Sequence, residues 1–178
     1  MKAKTLKIKN IGLITDETIE INKPLILFYG EIRTGKTTIL NAVRWVFGGE
    51  FPADIIQHGK KDATIEIEFD AGVVNRSFYR SKEGETKARP VMFIRDGKPV
   101  AAPLAELMRL SSELSALYPS GFGLELLDRG ESLGRSIFEF VERAEAEEKT
   151  ILANIVGERP AKVPENIGVF VVKEGSIS

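Results

Sequence analysis

The chain has 178 residues, 43% apolar and 29% charged, a balance that suits a water-soluble fold with room for a real core. It has no cysteine and a single histidine, His58. Disulfides, thiolate zinc sites and cysteine catalysis are thereby excluded, and histidine-based metal sites and Ser-His-Asp chemistry are disfavoured.

The net charge is −1, yet residues 1–100 carry 17 basic and 13 acidic side chains while residues 101–178 carry 8 and 13. That asymmetry fits either an anionic partner on the first half or an ordinary solvated surface. No run approaches the roughly 20 apolar residues a membrane helix needs. The opening "MKAKTLKIKN" lacks the apolar centre of a signal peptide. The expectation is a cytoplasmic protein with no membrane partner.

In chain order, "KTLKIK" (4–9) and "TIEI" (18–21) alternate as strands of an antiparallel ribbon. "PLILFY" (24–29) is a continuous apolar run between Pro24 and Gly30, the pattern of a strand buried on both faces. From Thr37 to Phe47 the apolar positions Ile39, Leu40, Val43, Val46 and Phe47 have helical spacing, and Gly48-Gly49 ends the helix. "ATIEIEFD" (63–70) and "VVNRSFYR" (73–80) read as a hairpin. "SKEGETKARP" reads as a polar loop, and "VMFIRDGKPV" (91–100) as a second hairpin turned at Asp96-Gly97. A weaker helical pattern spans residues 103–117. "GFGLELLD" (121–128) is a strand ending in Asp128. Leu133, Ile137, Phe140, Val141 and Ala144 mark one face of a helix. "TILANIV" (150–156) and "IGVFVV" (167–172) are further buried strands, and "KEGSIS" closes as a turn with an edge strand. The class is α/β: a mixed sheet with an N-terminal antiparallel β section, in one domain divided into lobes 1–100 and 101–178.

One stretch carries chemistry. Gly30-Glu31-Ile32-Arg33-Thr34-Gly35-Lys36-Thr37 is GxxxxGK[ST], set between a buried strand and an amphipathic helix. Its glycines let backbone N–H groups point at phosphate oxygens, and the helix start adds free N–H groups and the positive end of its dipole. Lys36 then supplies charge to the β and γ phosphates, the Thr37 hydroxyl can ligate Mg²⁺, and Thr38 can reach the α phosphate. The loop predicts a P-loop NTPase that binds a nucleoside triphosphate with Mg²⁺.

"LKIKNIGLITDETIEI", the loop, "ILNAVRWVFGG" and "DIIQHGKKDATIEIEFD" together resemble the N-terminal lobe of the SMC, RecF and break-repair ATPases, a branch of the ABC-type ATPases. Ile56 through Phe69 matches that family's stretch after the loop. The resemblance implies ATP as the nucleotide, a nucleotide-dependent homodimer with hydrolysis of ATP, DNA as client, and a role in DNA repair, recombination or maintenance. It makes "LELLD" a Walker B strand whose Asp128 holds Mg²⁺ through water. Lys2, Lys4, Lys7, Lys9, Arg76, Arg80, Lys82, Lys87 and Arg89 are the candidate phosphate contacts for DNA, provided they share a face.

The departures from the family are specific. Ile32 and Arg33 stand where the family has Asn and Gly, and Arg33 has phosphate, a partner subunit or solvent open to it. Arg129 stands where the family has the catalytic Glu after the acidic strand, which leaves Glu131 as the nearest candidate base, or else as an anion at a helix start. "LSSEL" (Leu110 to Leu114) lies where the family signature reaches across a dimer. Asn154 is the one polar candidate near the place of the family's switch His, and Gln57 reads as a surface residue. The long coiled coil is missing, since only residues 101–120 separate the second hairpin from the acidic strand. The alternatives are a nucleotide-dependent module that docks on a protein partner with weak hydrolysis, and a small-molecule kinase.

Overall fold

A computed structural model describes residues 2–101, 122–128 and 133–178. The helical pattern of residues 103–117, the segment Leu110–Leu114, Arg129 and Glu131 lie outside the described residues. The elements run β1 (Ala3–Ile11), β2 (Ile14–Glu20), β3 (Leu25–Gly30), α1 (Lys36–Val46), β4 (Asp62–Phe69), β5 (Gly72–Arg80), β6 (Thr86–Ala88), β7 (Met92–Arg95) and β8 (Lys98–Ala101). They continue with β9 (Leu124–Leu127), α2 (Leu133–Ala146), β10 (Thr150–Val156), β11 (Gly168–Lys173) and β12 (Ser176–Ile177).

The strands form two sheets. One is antiparallel, in the order β2-β1-β4-β5-β7-β8, with β6 also on β5. The other runs β12-β11-β3-β10-β9, in which β11, β3, β10 and β9 are parallel and β12 is an antiparallel edge. The period-two pattern of β1 explains its place. Leu6 and Ile8 are buried while Lys7 and Lys9 face solvent. β3 is buried on both faces, as its unbroken apolar run requires. Ile26 and Phe28 join a core that also holds Ile39, Leu40 and Val43 of α1 and Ile8, Ile65 and Ile67 of the antiparallel sheet. Leu25 and Leu27 turn the other way, onto Ile137, Val141 and Ala144 of α2. Helix α1 is therefore the filling between the sheets, and α2 covers the far face of the parallel one.

Helix α1 stops where the glycine pair predicts. Gly48 has φ 101°, its N–H donates to Trp45 O, and the Gly49 N–H donates to Arg44 O, a closed pair of bonds over the last turn. A second device was not legible as such. Arg76 Nη1 donates to the same Trp45 O (2.8 Å) and to Gly49 O (3.0 Å), with the guanidinium over the rings of Phe51 and Phe78.

The condition that the candidate cations share a face is therefore not met. Arg76 lies opposite Ile65, on the side of β5 that faces the core. Arg80 donates to Lys60 O and Ile56 O, and Arg89 stacks on Tyr79. Lys7 stands beside Glu66 in the ladder and Lys9 beside Asp16. The nine cations do not form one face. The polar segment after β5 also differs from expectation, since Thr86–Ala88 pairs with Phe78–Arg80. Asp96 and Gly97, with φ 52° and 71°, make the tight turn expected between β7 and β8. No helix among the described residues is long and apolar enough to cross a membrane.

Candidate functional site

The loop from Gly30 to Gly35 leaves the carboxyl end of β3, the strand hydrogen-bonded between β10 and β11. In an open parallel sheet this end gathers the strand-to-helix turns and the helix N-termini, and ligands bind there. Gly30 is required by contact as well as by conformation. A Cβ on it would stand 2.5 Å from the Val172 carbonyl oxygen of β11, and its φ is 152°. Gly35, at φ 111°, occupies the N-cap of α1 with no capping side chain, and no acid lies in the first turn. The first N–H groups of the helix are thus left to an external acceptor of negative charge.

Lys36 is only 6% exposed. Its ammonium folds back over the loop and donates to Gly30 O (2.9 Å), to Glu31 O, and to Thr34 Oγ1 (3.3 Å). Burial pushes its pKa below the ordinary lysine value, partly offset by the Glu31 carboxylate. Thr34 Oγ1 itself donates to Glu31 O (3.0 Å) and closes the loop. Glu31, Ile32, Arg33 and Thr37 are exposed, and Ile32 at 70% is among the most exposed large apolar side chains described. Thr38 is half-buried against the β1–β2 turn, where a Cβ on Gly12 would meet its methyl at 3.4 Å.

Arg33 adopts φ 64°, the left-handed region that an arginine enters at a cost of about 1–2 kcal/mol. Arg33→Gly removes that cost and gives back part of it as unfolded-chain entropy. A net gain of about 0.5–1 kcal/mol in urea unfolding is expected, with Arg33→Ala showing none.

Two further turns close on the loop. The Gly175 N–H, between β11 and β12, donates to Thr34 O (2.7 Å), and the Gly157 N–H, after β10, donates to Gly30 O (3.0 Å). Beside them an open groove of about 850 Å³ is lined by Tyr29, Ile32, Arg33, Arg159 and Lys173 among others.

Asp128 stands exposed just past β9, at the same end of the parallel sheet. Its Oδ1 accepts a hydrogen bond from Asn154 Nδ2 at 3.2 Å. Asn154 is 5% exposed, paired in register with Phe28 and two residues before the Val156–Gly30 pair. Its Oδ1 is buried without a partner among the described residues. The signal for this pair was the asparagine inside the apolar run "TILANIV". Gln57 does not reach the loop. It donates to Gly12 O and Thr15 Oγ1 and pins the β1–β2 turn. Glu131, the candidate base, lies outside the described residues.

Among the described residues no three His, Asp or Glu side chains converge on a metal position. A Mg²⁺ site of the kind that borrows phosphate oxygens needs only one or two protein groups and keeps several waters. The exposed Thr37 hydroxyl, the Asp128 carboxylate and the unpartnered Asn154 oxygen fit that donor set.

A family model described as an AAA domain matches residues 5–153. The DNA repair protein RecN of Rickettsia typhi is 35% identical over 65 residues, which cover 36% of this chain and 12% of RecN. RecN of Halalkalibacterium halodurans is 34% identical over 61 residues, 34% of this chain and 11% of that protein. The matched part thus spans about one eighth of these relatives' length. Among solved structures, the SMC head domain from Thermotoga maritima superimposes with a TM-score of 0.61 at 14% identity, covering 98% of this chain and 97% of that one. A Pyrococcus furiosus Smc head, bound to the C-terminal domain of ScpA, gives 0.52 at 19% identity, covering 70% and 36%. At these identities the likeness is one of fold.

Proposed function

The chain belongs to the AAA domain family and has the fold of an SMC head, and from that premise we propose that it binds and hydrolyses ATP, with ATP bringing two copies together. The observation that carries this reading is the loop itself. A buried ammonium sits among carbonyl oxygens at the mouth of an uncapped helix start, on the carboxyl end of a parallel strand.

A triphosphate offers Lys36 stronger acceptors than those carbonyls, because they carry full charge. The N–H groups of the loop and of the first turn of α1 orient the β and γ phosphates. Thr38 lies one residue further on, toward the α phosphate. Thr37 and Asp128 are the groups to hold Mg²⁺, directly and through water. When bound, Mg²⁺ draws charge from the oxygens around the bond that breaks. Glu131 is retained as the candidate to take a proton from the attacking water, because Arg129 occupies the position directly after Asp128.

Work on DNA in repair, recombination or maintenance is the client role proposed, supported by the RecN relatives. A cytoplasmic setting goes with it. Arg129 favours one second reading, a nucleotide-dependent module that docks on a protein partner and turns over slowly.

Light scattering separates these. Without nucleotide the expected mass is that of one chain, and ATP with Mg²⁺ doubles it. Lys36→Ala stays single under both conditions. A mass that never changes although ATP binds removes the paired-copy reading. Turnover measured with and without duplex DNA then tests the client.

A further inference from the structure

We propose that Asn154 is a positioning residue for the divalent ion that accompanies the nucleotide. Its amide nitrogen fixes the Asp128 carboxylate, and its amide oxygen accepts a hydrogen bond from a water on that ion. The inference rests on the nucleotide-binding reading above and adds to it a residue and a role.

After Thr150 at its first position, β10 is apolar except at Asn154, and every residue from Thr150 to Ile155 is buried. A carboxamide in such a strand has four hydrogen bonds to place, two as donor and two as acceptor. Asn154 Nδ2 donates to Asp128 Oδ1, while Asn154 Oδ1 is buried and has no partner among the described residues. Leaving a buried acceptor unpaired costs about 1–3 kcal/mol, more than the net worth of one ordinary hydrogen bond. As a strand residue alone, Asn154 is therefore a poor choice. Leucine has the same branched outline in a larger side chain and carries no such cost, and the neighbours Leu152 and Ile155 show what this strand otherwise holds.

Position supplies the second half. Asn154 and Leu152 point to the side of the sheet that carries α1, since residues two apart share a face and Leu152 packs in the core with Ile39 and Leu40. That is the side on which the phosphate loop opens into the helix. Asn154 is one strand from Gly30 and one strand from Asp128, at the carboxyl end of all three strands. A water bound to Mg²⁺ is a strong double donor. One proton directed to Asp128 and the other to Asn154 Oδ1 satisfies both oxygens at once. The Nδ2 bond meanwhile keeps the exposed Asp128 from rotating away. Partners that hold an ion's ligands in this way affect metal affinity by about 10- to 100-fold when removed.

The test separates ion binding from nucleotide binding. Mn²⁺ serves as the probe, followed by electron paramagnetic resonance in the presence of a non-hydrolysable ATP analogue. Binding of the same analogue is also measured in EDTA. For Asn154→Leu, Mn²⁺ affinity in the nucleotide complex is expected to fall about 10- to 100-fold. Nucleotide affinity in EDTA should stay within about twofold, and the melting temperature of the free protein should hold or rise. Where Asn154→Leu melts well below wild type, Asn154→Val carries the same comparison. Unchanged Mn²⁺ affinity overturns the inference, and so does an equal loss of nucleotide binding in EDTA. Wild-type protein that takes up no nucleotide at all overturns the parent reading, and this one with it.

Discussion

Lys36→Ala is expected to cut ATP turnover by about 10²- to 10³-fold, the usual cost of one charged donor aimed at a transferring group. The folded chain should survive the change. The ammonium is desolvated and, among the described residues, held by Gly30 O, Glu31 O and Thr34 Oγ1, so its removal also relieves a burial cost. Far-ultraviolet circular dichroism and melting are therefore expected to remain near wild type while turnover collapses. A parallel loss of fold and turnover would show Lys36 to be a structural plug.

The same group sets an alkaline limit on binding. Burial lowers the pKa of Lys36 in the free protein, and a triphosphate beside it raises that pKa again. The complex then holds the proton more tightly than the free protein does. Affinity is full at pH values where Lys36 is charged in both forms. It falls as pH rises through the free-protein value, which lies below the ordinary lysine range, by up to about tenfold per pH unit. Lys36→Ala should lack that alkaline limb. A titration from neutral to strongly alkaline pH reads the difference.

Gly175→Ala is expected to lose about 3–4 kcal/mol in urea unfolding, a large share of the 5–15 kcal/mol typical of a domain. A Cβ at Gly175 would stand 2.0 Å from Leu13 O and 2.5 Å from the Leu13 carbonyl carbon, with φ at +83°. The obstacle is backbone, so no rotamer change relieves it. Either the β1–β2 turn or the β11–β12 turn must move, and the second carries the N–H that holds Thr34 O. Gly84 is the matched control. Its φ is +82°, but a Cβ there meets nothing within 4 Å. Gly84→Ala should cost only the left-handed strain, about 1–2 kcal/mol. Similar losses at both glycines would mean that the close approach at Gly175 matters little. Because Gly175 is tied to the phosphate loop, its alanine variant should also weaken nucleotide binding, whereas the Gly84 variant should leave it alone.

The parts of this architecture that sequence reveals are those with local causes. The strand, loop and helix from Leu25 to Val46 are visible because an apolar run, two glycines and a helical stripe follow one another directly. Asp96-Gly97 announces its turn because both residues tolerate positive φ. What stayed hidden depends on partners distant in the chain. Thr86–Ala88 becomes a strand only because Phe78–Arg80 offers it an edge, and its own residues carry no strand pattern. Arg76 looked like a surface cation, although its neighbours two positions away, Val74 and Phe78, are buried and already place it on the inner face. The order of the parallel strands, with β3 between β10 and β11, joins segments more than a hundred residues apart. Within the site, the loop residues were legible from spacing. Asp128 and Asn154 could each be singled out, but their hydrogen bond could not, because a strand-helix-strand pattern suggests neighbouring strands without fixing the register of their ends.

Helix α1 is held at both ends by different parts of the molecule. Its first turn grows from the phosphate loop, and its last turn is gripped by Arg76 of the antiparallel sheet, which takes Trp45 O and Gly49 O together. Eleven residues make a rod of about 16 Å, short enough to resist bending. The loop at one end and the antiparallel sheet at the other are thus tied to one short rigid element, with Arg76 as the tie at the sheet end.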